Sequence, residues 1–147
     1  MAEYMAYIGT YSKGENGGIF RAMIDSETGD LRVLDTTDVE NPSHLALAPD
    51  GKHLYAASET GEFRGRNGGA AAACAVDAEG KLTLKQIVKV GGKTPREFAY
   101  TPDGKMVFCC NQDSSDITVL KVNADGTLTL TDKRFELPRP VSLIWKN

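Results

Sequence analysis

The chain has 147 residues, 41% hydrophobic and 25% charged, which is the balance of an ordinary globular domain and too apolar for a disordered tail. A net charge of −3 without any basic stripe argues against nucleic acid as a partner. The longest apolar run, Ala70 to Val76, falls far short of the roughly 20 residues of a membrane helix, and no charged-then-apolar leader opens the chain, so cytoplasm is the expected compartment and no membrane partner is expected.

Short strands separated by turns are expected from one end of the chain to the other. Met5 to Tyr11, Gly18 to Asp25 and Leu31 to Thr37 come first, with Asp25-Ser-Glu-Thr-Gly29 as a turn. Asn41 to Glu59 holds two strands about a Pro49-Asp-Gly-Lys52 turn, and the glycine-rich stretch Gly61 to Gly69 is a loop able to cover a ligand. Ala70 to Asp77 and Leu82 to Val90 follow, joined at Asp77-Ala-Glu-Gly-Lys81. Thr94 to Gln112 repeats the earlier pair about Pro102-Asp-Gly-Lys105; Ile117 to Asn123 and Leu128 to Leu137 repeat the second pair, and Pro140 to Trp145 is a last strand. Asp and Asn start such turns and Gly supplies their positive φ, so Asp50 and Asp103 read as structural turn residues and not as a catalytic carboxylate pair.

Asn41 to Glu59 aligns with Thr94 to Gln112: Pro, a six-residue spacer, then Pro-Asp-Gly-Lys recurs in both. Each repeat is four short antiparallel strands, the unit of a β-propeller blade. The predicted fold is all-β, with blade 1 formed by 140–146 plus 4–38, blade 2 by 42–90 and blade 3 by 94–137. Pro42, Pro95 and Pro140 mark the three innermost strands, so residues 1–147 read as a single half-ring domain of three blades, cyclically permuted by one strand. Rings generally use about four to eight blades, so three do not close alone. A homodimer exchanging strand 140–145 would make six, and self-assembly of that kind is the expected partnership.

Several stretches resemble the lactonase family of seven-bladed propellers, which includes 6-phosphogluconolactonase of the pentose phosphate pathway and related muconate lactonizing enzymes. They are Tyr7-Ile-Gly-Thr-Tyr-Ser-Lys-Gly-Glu15, Glu40-Asn-Pro-Ser-His-Leu-Ala-Leu-Ala-Pro-Asp-Gly-Lys52 and Gly92-Lys-Thr-Pro-Arg-Glu-Phe-Ala99 with Asn111-Gln-Asp-Ser114. The resemblance covers nearly the whole chain. Residues up to about Val88 are similar to the family's N-terminal part and those from about Gly91 to its C-terminal part, so the family's middle blades, with their histidine-rich stretch, have no counterpart here. What the resemblance implies is a metal-free, cofactor-free sugar-lactone hydrolase scaffold acting on a small anionic sugar. The alternative is a catalytically inactive propeller fragment, natural or engineered, that self-assembles.

Propeller ligands sit over the central channel, where the loops of all blades converge. His44 and Glu59 are the candidate groups for activating water, and Arg96, Gln112, Arg64 and Arg66 the candidate substrate contacts. Acids outnumber bases in these loops, so no phosphate funnel is indicated. Cys74, Cys109 and Cys110 are expected as small core residues in a reducing compartment, without disulfides and without a metal site.

Overall fold

The computed structural model describes residues 2–12, 17–59, 62–63 and 66–146. Three antiparallel sheets follow one another along the chain. The first contains β1 (Glu3–Ile8), β2 (Ile19–Asp25) and β3 (Leu31–Thr37) in that order. The second contains β4 (Pro42–Leu47), β5 (His53–Ser58), β8 (Ala70–Val76) and β9 (Leu82–Lys89), with the two-residue strands β6 (Glu62–Phe63) and β7 (Arg66–Asn67) paired in the loop between β5 and β8. The third contains β10 (Pro95–Tyr100), β11 (Met106–Asn111), β12 (Asp116–Val122) and β13 (Leu128–Glu136). Consecutive strands are neighbours throughout the three sheets, the meander of a propeller blade.

The sheets stack face to face, and the sequence shows why. Alternate residues of a strand point to opposite faces. Leu54, Ala56, Ala72 and Cys74 enter one core with Ile19 and Val39 from the first sheet and its connection. Tyr55, Ala57, Ala71 and Ala73 enter the other, with Phe98, Val107, Cys109 and Leu120 from the third. A sheet covered on both faces needs apolar residues at every position, hence the unbroken run Ala70 to Val76. Its alanines let neighbouring blades approach closely.

Three features repeat from blade to blade. Asn41, Thr94 and Arg139, the residues before Pro42, Pro95 and Pro140, have φ of 45°, 57° and 41°. The carbonyls of Asn41 and Thr94 accept the backbone N–H of Glu59 and Gln112, each at 3.0 Å. Tyr7 donates its hydroxyl to the carbonyl of Gly80, and Tyr55 to that of Gly126, both at 2.6 Å, tying each blade to a turn of the next. The Pro-Asp-Gly turns form as expected: Asp50 and Asp103 accept the N–H of Lys52 and Lys105 at 2.8 and 3.1 Å, with Gly51 and Gly104 at φ 69° and 72°.

The structure differs from expectation at the chain's end. Residues 140–146 form no strand, and no strand of the described residues pairs with them. They cover part of the outer face of the third sheet: the Leu143 N–H donates to the Glu97 carboxylate, and Trp145 meets Phe108 edge to face with ring centroids 5.8 Å apart. The first sheet therefore has three strands, not four. Strand β1 also lies two to three residues earlier than the sequence indicates.

Candidate functional site

Glu59, Arg96 and Gln112 come together on one face of the propeller, at the ends of inner strands of blades 2 and 3. The repeat explains the placement. Ser43 and Arg96 each follow the proline opening an innermost strand, while Glu59 and Gln112 each follow the end of the adjacent strand. Within blade 2 the Ser43 hydroxyl donates to Glu59 Oε2 at 2.5 Å; within blade 3 Arg96 Nη1 donates to Gln112 Oε1 at 2.8 Å. Arg96 Nε lies 3.6 Å from Glu59 Oε2, joining the two blades. The carboxylate side chain is only 16% exposed against 43% for the guanidinium, so the acid is sheltered and the base faces solvent.

Beside this network Thr94 donates its hydroxyl to Asp113 Oδ2 at 2.5 Å, and Arg139 Nη2 lies 3.3 Å from Asp113 Oδ1. Between blades 2 and 3 on the same side, Lys89, Lys93 and Arg134 line a hollow of about 230 Å³ floored by glycines. Two of its lining residues, Ser114 and Arg134, hold the fully buried Asp116, which pairs with Arg134 and accepts the Ser114 hydroxyl at 2.8 Å.

The other candidates fare differently. His44 is half-buried on β4, next to Ser43, and takes no part in the bonds of the Glu59–Arg96 network. Arg64 lies outside the described residues, and of Arg66 only the backbone is described, in β7. Ser43 escaped the sequence reading. Its signal was there: it stands in blade 2 where Arg96 stands in blade 3.

On the opposite face a cleft of about 190 Å³ holds His53, Tyr55 and Tyr100 among the Pro-Asp-Gly turns, away from the network. Cys74, Cys109 and Cys110 are buried and free. Burial pushes the Cys74 thiol up to about 11 and raises the other two, so these are core groups and not nucleophiles. Among the described residues no three His, Cys, Asp or Glu side chains gather to hold a metal ion, and no helix is long and apolar enough to cross a membrane.

The profile of a family described as lactonase, 7-bladed beta-propeller, matches residues 5–80 and 71–145. The chain belongs to that family. The 6-phosphogluconolactonase of Bacillus subtilis is 28% identical over 129 residues, an alignment taking in 87% of this chain and 36% of that protein. A crystal structure from Bacteroides fragilis superposes with a TM-score of 0.80 at 31% identity, over 92% of this chain and 37% of its own. The periplasmic gluconolactonase of Pseudomonas aeruginosa superposes with a TM-score of 0.76 at 29% identity, over 86% and 37%. The chain thus spans a little over a third of the length of these lactonase relatives, and its all-β, blade-like sheets are those of their propellers.

Proposed function

We propose that this lactonase-family chain hydrolyses a sugar lactone without a metal, through the Ser43–Glu59–Arg96–Gln112 network. The observation that carries the reading is a sheltered carboxylate 3.6 Å from a half-exposed guanidinium, on the face where the loops converge. Arg96 draws in the anionic end of the substrate by charge-assisted hydrogen bonding. Glu59, oriented by Ser43, takes a proton from water as the water oxygen bonds to the lactone carbonyl carbon. The ring C–O bond then breaks and the same proton passes to the departing alkoxide, giving the open hydroxy acid. His44 is the alternative base. Gln112 holds the guanidinium in place.

6-Phosphogluconolactone is the substrate to assay first, since the Bacillus subtilis relative carries that enzyme's name. Glu59→Gln lowers kcat by about 10²-fold or more, the usual worth of a positioned general base. Arg96→Ala raises KM, and chelator leaves the rate unchanged. Hydrolysis no faster than buffer would favour the second reading, a non-catalytic assembly. We further place the protein in the cytoplasm, on its three unpaired thiols; release by osmotic shock would show otherwise.

A further inference from the structure

The first sheet lacks an innermost strand, and residues 140–146 are an innermost strand that lacks a sheet. We infer that two copies of this chain exchange these segments reciprocally, residues 140–146 of each completing the first blade of the other, to close a six-bladed ring.

Residues 140–146 already stand where the next blade's inner strand belongs. They leave β13 along the same path that links the earlier blades: the Leu137 N–H donates to the Ser115 carbonyl at 3.1 Å, and Arg139, with the positive φ shared by Asn41 and Thr94, donates its N–H to Ser115 Oγ at 3.3 Å. From there they run beside β10, Leu143 against Glu97 and Trp145 against Phe108, which pairs with Ala99. Both contacts ascend together, so the segment is parallel to β10, as successive inner strands of a propeller are. Several of its side chains remain largely exposed: Val141 is 48%, Ile144 87% and Trp145 42% exposed.

At the other end β1 pairs with β2 alone among the described residues, which leave its second edge open. Tyr7 and Tyr55 make the same bond to the next blade, which fixes their equivalence. Ala46 faces Tyr55, and Ile144 stands in the third repeat where Ala46 stands in the second. The register of the exchanged pair is therefore Leu143 against Ile8, Ile144 against Tyr7 and Trp145 against Ala6 of the partner subunit. Where blades 2 and 3 carry the polar pairs Ser43–Glu59 and Arg96–Gln112, this blade brings together Val141 and Tyr11, both exposed in the single chain. The turn glycines agree. Gly80 and Gly126 abut side chains of the preceding blade, Met5 and His53, whereas Gly29, with φ 80° like Gly80, has nothing within 4 Å. It is a blade-to-blade contact without its blade.

The stoichiometry follows from closure. Rings span about four to eight blades, and for copies of the 147-residue chain, with three blades each, only six falls within that range. An isologous two-fold pair also leaves no edge open.

The test is made on the 147-residue chain. Light scattering coupled to size exclusion should give twice 15.9 kDa at all practical concentrations; a 15.9 kDa species overturns the inference. Ile8→Cys combined with Leu143→Cys should oxidise to a covalent dimer on a non-reducing gel that the unaltered chain does not form. An intramolecular bridge, or none, overturns the exchange. Ile144→Asp changes a side chain that is already in water in the single chain, so it should keep its β circular dichroism and halve the mass. A dimer undisturbed by it refutes the register.

Discussion

Removing the hydroxyl that ties blade 2 to blade 3 tests whether the repeated tyrosine bond holds the blades together. Tyr55 is fully buried and donates at 2.6 Å to the carbonyl of Gly126, itself buried. Tyr55→Phe leaves that carbonyl without its partner, at a cost of about 1–3 kcal/mol for an unsatisfied buried acceptor. Tyr7→Phe breaks the equivalent bond to Gly80 in a half-buried setting where water can substitute, at a cost of about 0.5–1.5 kcal/mol. Urea unfolding should show both midpoints falling with m unchanged, the Tyr55 variant falling further, and each kcal/mol should lower Tm by about 2–4 °C. There is also an alkaline signature. Burial pushes the Tyr55 hydroxyl up to about 12 from 10.0. With the folded pKa above the unfolded one, the group's contribution is whole below pH 10 and is lost as pH rises through 12, so the loss of stability over that window should be shallower in Tyr55→Phe. Equal midpoints for the two variants, or a Tyr55→Phe change below about 0.5 kcal/mol, would refute the assignment.

Two further outcomes concern packing and acid. A Cβ at Gly92 would overlap the buried Asn111 side chain, which donates to Thr118 Oγ1 at 3.0 Å, so Gly92→Ala should cost about 2 kcal/mol or more by calorimetry. In the turns, the Lys52 N–H holds Asp50 below the ordinary carboxylate range, and the Thr101 and Thr127 hydroxyls do the same for Asp103 and Asp125. A lowered folded pKa contributes stability that is present above the unfolded value of about 3.9 and is lost as pH falls through the folded value. Acid titration of Asp103→Asn should therefore show a flatter loss below pH 4 than the parent.

The turns and the repeat were legible because they rest on local chemistry. Asp50, Gly51, Asp103 and Gly104 adopt the geometry their residue types prefer, whatever lies around them. The Pro42 and Pro95 markers fall at the starts of β4 and β10, whereas Pro140 opens no strand, although the residues before all three prolines share a positive φ. Glu59, Arg96 and Gln112 lie together because equivalent positions of a repeat converge on one face. Ser43 was missed because a serine carries no charge to attract notice, and its value as a donor to Glu59 appears only when the strand pairing is known. The settled position of residues 140–146 was not legible either. A strand needs an edge, and whether one is within reach depends on where blade 1 lies relative to blade 3, a tertiary distance that no spacing encodes.

Ring closure and chemistry bear on each other. In the exchanged dimer the channel is lined by two copies each of β4, β10 and residues 140–146, and two Glu59–Arg96 networks face one another across it. Arg139, anchored to Asp113 at 3.3 Å just before the exchanged segment, ties the position of that segment to the rim of the same face. A lactone over the channel would then touch groups from both copies, while each network is complete within one. Ile144→Asp should accordingly raise KM by about tenfold or more, because the second wall is lost, and should change kcat less, because Ser43, Glu59, Arg96 and Gln112 stay in one chain. Steady-state kinetics on the monomeric variant separate the two proposals. An unchanged KM in a proven monomer would confine the substrate to one network, and an inactive dimer would dismiss the hydrolase while leaving the ring intact.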